Sequence, residues 1–158
     1  AGSASRTTPE RAQSMSAASD YALSRTCLFR LPPRLAADMV YKHLTWKSPQ
    51  AADNLVSWTS SLLSALVYVF YRRARFSESF ADIFLYVIDT TRFPDDGGTF
   101  LSDLDLIRAF KPHSAALANL EMLRHQKHSA WAGAYCFGEY LSQGSLGLAS
   151  GRCAAVSA

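Results

Sequence analysis

Hydrophobic and polar positions alternate along this chain in blocks that change period, and each change marks an element. Cys27-Leu28-Phe29-Arg30-Leu31 is a short apolar run stopped by Pro32-Pro33, and it predicts an early strand. From Arg34 to Leu44 the period becomes helical, with Leu35, Met39 and Val40 on one face and Leu44 extending it. A polar loop, Thr45 to Asp53, leads to a second strand, Asn54 to Trp58. Thr59 or Ser60 is then placed to cap a helix from Ser61 to about Arg73. That helix carries Leu62, Leu63, Leu66, Val67, Val69 and Phe70 around almost its whole circumference, so it is expected to be the central, buried helix. Asp82 to Asp89 is apolar on both faces, as a central strand would be.

Further on, Pro94-Asp95-Asp96-Gly97-Gly98 predicts a turn. Ser102 with Asp103 and Asp105 has the chemistry of a helix start, and a second helical stretch covers Ala115 to His125. From Ala130 to Val156 the chain is rich in glycine, aromatic and small residues, and two or three strands are expected there, including Ala134 to Phe137 and Glu139 to Leu146. Strands at both ends with helices between them make an α+β domain whose late strands return beside the early ones. Residues 1 to about 18 are polar, aperiodic and interrupted by Pro9, so they read as a disordered leader before a single domain over 19–158.

Composition narrows the function classes. The 158 residues include 49% hydrophobic and 18% charged side chains, which suits one globular domain with a sizeable core. A net charge of +3, from 16 basic and 13 acidic residues, is too mild to suggest nucleic acid as a partner. The basic cluster Arg72, Arg73 and Arg75 falls at a helix end, where cations complement the helix dipole. The longest apolar run, Leu62 to Tyr71, is shorter than the roughly 20 residues that span a bilayer, so no membrane partner is expected. Cys27, Cys136 and Cys153 form no C-x-x-C pair, and free buried thiols are the simplest expectation. His125 and His128 have no acidic or cysteine partner close by, in what reads as a basic, solvated helix end, so no metal site is expected. His43, at the end of an amphipathic helix, and Asp103 and Asp105, in a helix first turn, are expected to be structural.

Three features remain: Arg30 closing the early strand, Ser57-Trp58-Thr59 where the second strand meets its helix, and Glu139 opening a late strand. In this order they resemble the Arg–Ser–Glu class of ADP-ribosyltransferases, the group that includes the cholera-toxin-like enzymes. The chain also resembles a family of uncharacterised fungal domains, through His43-Leu44-Thr45-Trp46, Ser57 to Ala65 and Val87-Ile88-Asp89-Thr90. That second likeness covers residues from about 27 to 146. The resemblance implies a split β-sandwich with helices between the early and late strands. It implies NAD as substrate, with Glu139 and Ser57 as catalytic residues and Arg30, Ser57 and Thr59 as the residues that bind the dinucleotide. ADP-ribose would pass to a protein or other acceptor, or to water. In that class a Glu or Gln commonly stands two residues before the catalytic Glu, whereas this chain has Phe137 there. The alternative is a catalytically silent member that acts as a protein-interaction module or secreted fungal effector.

The chemistry behind such a site is straightforward. A guanidinium grips a pyrophosphate through paired hydrogen bonds. A carboxylate beside the ribose stabilises the positive charge that develops as nicotinamide leaves.

Overall fold

Helices and strands are mixed along the chain, and the strands form small antiparallel sheets, an α+β arrangement. The structure, a computed structural model, describes residues 14–16, 26–47, 53–93, 100–125, 138–148 and 153–157. The expected Pro94–Gly98 turn, the strand Ala134 to Phe137, Cys136, His128 and most of residues 1–18 lie outside them.

In chain order the strands are β1 (Ser14–Ser16), β2 (Leu55–Thr59), β3 (Phe84–Ile88), β4 (Leu101–Ser102), β5 (Glu139–Gln143), β6 (Ser145–Gly147) and β7 (Cys153–Ser157). The helices are α1 (Pro33–Leu44), α2 (Leu62–Phe76), α3 (Asp103–Phe110) and α4 (Ala115–His125). Late strands do return to early ones: β5 pairs with β2, β7 with β3, and β6 with β1. In the three-stranded sheet β5 is central, with β2 on one side and β4 on the other.

The main core gathers around that sheet. Leu55 of β2 and Leu141 of β5 meet Ala36, Ala37, Met39, Val40 and Leu44 of α1, Leu106, Ile107 and Phe110 of α3, and Leu117 of α4. Pro33 starts α1, where its missing N–H costs nothing. The buried face of α1 centres on Ala36, Val40 and Leu44, so Leu35 is turned outward. A smaller core joins Phe93, Leu146 and Leu148 with Trp58, Tyr86, Ile88 and Phe100.

Three expectations are corrected. Residues 28–30 form a 3-10 turn rather than a strand, because Pro32 and Pro33 leave no room for a ladder and the chain folds straight into α1. β3 is not a central strand; among the described residues it pairs only with β7, and Val87 faces outward.

The largest correction concerns α2. It is capped by Ser61, whose hydroxyl accepts from Ser64 N–H, but only Val69 on it is buried. Leu62, Leu63, Val67 and Phe70 are all exposed. Its aromatic residues pack sideways on one another, Tyr68 and Tyr71 meeting Trp46, and Tyr71 meeting Phe76. Arg72 lies over Phe76 and also pairs with Glu78, while Arg73 donates to the Glu78 carbonyl oxygen beyond the helix end. An apolar circumference predicts burial only when neighbouring elements wrap the helix, and the described contact of α2 is mainly with β2.

This arrangement separates two leucines that look alike in sequence. Leu141 is fully buried and Leu66 is 39% exposed. Leu141→Ala is expected to lower stability by about 2–5 kcal/mol in urea unfolding. Leu66→Ala is expected to cost less than about 1 kcal/mol.

Candidate functional site

The pairing of β2 with β5 builds the site. In that ladder Thr59 stands opposite Glu139, and Ser57 stands opposite Leu141. Residues opposite one another share a sheet face, so Ser57, Thr59 and Glu139 project together, while Trp58 projects to the other side. There the Trp58 indole N–H donates to Ser142 Oγ at 2.8 Å, which holds the strand pair from behind.

Glycine sets the entry to β5. Gly138 has φ +56, a conformation that side chains with a Cβ rarely adopt, and a Cβ there would stand 2.5 Å from Ser60 Oγ. Ser60 N–H donates to the Gly138 carbonyl oxygen at 2.9 Å, joining the end of β2 to the start of β5. Gly144, with φ +68, closes the other end.

On the shared face the side chains form one chain of contacts. Ser57 Oγ donates to Glu139 Oε1 at 2.9 Å. His43 Nε2 lies 2.9 Å from the same Ser57 oxygen. The ring's other nitrogen, Nδ1, is 3.1 Å from each carboxylate oxygen of Asp53. On the far side, Arg124 donates to Glu139 Oε2 at 3.3 Å and pairs closely with Asp103. Asp53, His43, Ser57, Glu139, Arg124 and Asp103 are thus linked one after another across five elements and the loop ahead of β2.

Ser57 is the exposed member of this set, whereas Arg124 and Asp103 are buried. The middle of the set is therefore open to a ligand, while Asp53 at one end and the Arg124–Asp103 pair at the other are buried. Burial, the largest cause, pushes the Asp103 carboxyl above its ordinary range. Arg124 pulls the other way, and the neighbouring Glu139 charge adds to the rise.

The structure brings together two of the three features picked out in the sequence. Ser57 and Glu139 touch, and Thr59 stands across from Glu139 with its hydroxyl accepting from Ser61 N–H at 3.0 Å. Arg30 is elsewhere. Its turn is held by a hydrogen bond of 2.6 Å from Leu28 N–H to Gln143 Oε1, at the opposite end of β5 from Glu139. At roughly 3.4 Å per residue, those ends are about 14 Å apart. Phe137 lies outside the described residues.

Sequence reasoning missed His43, Asp53, Arg124 and Asp103. His43 does pack at the end of an amphipathic helix, but its ring nitrogens face the site. Arg124 precedes His125 in the helix end that reads as basic and solvated in the sequence, yet it is only 5% exposed. The reason is that α4 runs back along α3, so its last turn meets the start of α3 and the start of β5. Asp103 does open α3, but Ser102 makes no side-chain cap, and the buried Arg124 is the partner that accounts for Asp103 being inside. A charged residue three or four positions from buried leucines was the available signal, and it is a weak one. Of the thiols, Cys27 is exposed rather than buried, while Cys153 is partly buried and its thiol is pushed up by that burial.

Arg124 separates two carboxylates in a dry setting, so Arg124→Met is expected to destabilise the fold by about 3–5 kcal/mol. Losing the guanidinium removes what pulls the Asp103 carboxyl down, so the folded variant holds that proton still more firmly than the unfolded chain. A carboxyl raised on folding stabilises below its unfolded range and loses that contribution as pH rises through the folded value. The deficit of Arg124→Met is therefore expected to shrink between about pH 7 and about pH 5, as urea titrations at the two values would show.

No protein-family model, curated protein or solved structure matches this chain.

Proposed function

We propose that this chain is an ADP-ribosyltransferase-like domain of the split β-sandwich kind, which binds NAD and acts at its nicotinamide–ribose bond. The observation that carries the proposal is the 2.9 Å hydrogen bond from Ser57 to Glu139 at the exposed end of two paired strands. A carboxylate held in place beforehand suits a reaction whose transition state is a ribosyl cation. Arg124 on the second carboxylate oxygen fixes the orientation of the group.

In the proposed reaction the glycosidic C–N bond breaks and nicotinamide leaves with the electron pair. Glu139 stabilises the cation left on the ribose and holds its 2′-hydroxyl. A protein side chain, another acceptor or water then attacks that carbon and gives up a proton to solvent. Ser57 and Thr59 line the nicotinamide end. Arg30, at the other end of β5, serves the pyrophosphate of an extended dinucleotide rather than the reacting bond.

A second reading is favoured by one observation, the exposed apolar residues of α2. They suit a catalytically silent domain that binds another protein, since large apolar patches mark interaction surfaces.

One pair of variants tests the first reading against the second. Glu139→Gln is expected to slow nicotinamide release about 10²–10³-fold while leaving NAD affinity nearly unchanged. Arg30→Ala is expected to weaken NAD binding in calorimetry and to spare the chemical step. A wild type that neither binds NAD nor releases nicotinamide would remove the enzymatic reading and leave the interaction module.

A further inference from the structure

We propose that His43 is a positioning residue, whose ring proton decides whether the Ser57 hydroxyl points to Glu139 or back to the ring. Only the consequence for rate rests on the NAD reading; the hydrogen-bond geometry stands without it. Ser57 has one hydroxyl hydrogen but two partners, Glu139 Oε1 and His43 Nε2, each at 2.9 Å. It can donate to one of them at a time.

Asp53 determines the state of the other ring nitrogen. Both its oxygens lie 3.1 Å from Nδ1, and Oδ1 also accepts from Leu55 N–H at 3.0 Å. An ionised carboxylate only accepts, so Nδ1 carries a hydrogen. Two states follow at Nε2. When the ring is doubly protonated, Nε2 donates to Ser57, and Ser57 donates to Glu139. When it is neutral, Nε2 has only a lone pair, so Ser57 turns its hydrogen toward the ring and Glu139 loses that bond. The serine hydroxyl works as a relay with two settings.

The charges around the ring come from several elements. Asp53 precedes β2, and Glu139 of β5 lies beyond Ser57, backed by Arg124 of α4 and Asp103 of α3. On the ring's own helix, Lys42 and Asp38 pair with each other at 2.6 Å. With the ring charged, signs alternate from Asp53 through His43, Glu139 and Arg124 to Asp103. That state holds Glu139 by hydrogen bonds at both oxygens.

Asp53→Asn inverts the relay without removing a side chain. The asparagine oxygen keeps the Leu55 N–H, which leaves the NH₂ against Nδ1. Nδ1 must then accept, the neutral ring carries its hydrogen on Nε2, and Ser57 is held toward Glu139 at any pH. Nitrogen-15 NMR of the His43 ring, at a pH where it is neutral, is expected to show Nδ1–H in the wild type and Nε2–H in Asp53→Asn.

Nicotinamide release by the wild type is expected to fall about 10–100-fold as the ring loses its proton, the size of one hydrogen bond to a charged group. The same profile should be level in Asp53→Asn. It should also be level in His43→Gln, whose amide donates to Ser57 without titrating and which serves if Asp53→Asn does not fold. An unchanged tautomer in Asp53→Asn, or a pH step that persists in His43→Gln, would overturn the role of His43. If the wild type releases no nicotinamide, the NAD reading fails, and the ring-nitrogen signals alone decide for or against the relay.

Discussion

Antiparallel pairing of β2 with β5 joins two stretches of chain that lie far apart in sequence, and most of the described structure is arranged around it. Ser57 and Glu139 are separated by 82 positions and meet only because the ladder aligns Thr59 with Glu139 and Leu55 with Gln143. A register shift of one residue would turn every side chain of one strand to the opposite face. It would turn Leu55 or Leu141 out of the core and part Ser57 from Glu139. The register is therefore protected by the core itself, since Leu55 and Leu141 are nearly or wholly buried. Gly138 and Gly144 mark the two ends of the central strand, and Trp58 ties its back to Ser142. The energy that selects the register is hydrophobic, and the chemistry on the other positions is carried along with it.

Charge in the site is organised by burial. Arg124 and Asp103 are inside the protein, where an isolated charge is costly, and each is compensated by the other and by Glu139. Glu139 stands at the boundary between this dry pair and the exposed Ser57. One of its oxygens is committed inward and the other outward. That division explains why the carboxylate is held in a single orientation although it lies next to the exposed Ser57. His43 and Asp53 repeat the device on the outer side, a partly exposed ring oriented by a buried carboxylate.

α2 shows how an apolar pattern and its packing can part company. Its first ten residues are apolar around almost the whole circumference, and a serine caps it. Burial nevertheless depends on what surrounds a helix, and here Tyr68 stacks on Tyr71 and Tyr71 meets Phe76 edge-on, with guanidinium groups laid over Phe76 and Phe80. Cation–π and aromatic contacts of that kind shelter apolar surface without enclosing it. The Arg72–Glu78 pair belongs to the same surface and draws the Glu78 carboxyl down.

By itself the sequence determined the local elements and some of their edges. The run Ala115 to His125 is helical as its period predicts, Pro33 opens α1, and a hydroxyl cluster caps α2 one residue later than expected. It also determined that Ser57 and Glu139 lie on strands, because alternation and glycine boundaries are written within a few residues of each. Tertiary structure alone decided which residues meet. His43, Asp53, Arg124 and Asp103 come from separate elements, and nothing in their immediate neighbours distinguishes a site residue from a surface charge. Arg30 is the converse case, well placed in the order of motifs but held at the far end of β5 by the Leu28–Gln143 bond. Periodicity and capping are short-range properties that a sequence displays directly. Contacts between distant elements depend on how their buried faces fit together, and that fit is a property of the folded chain.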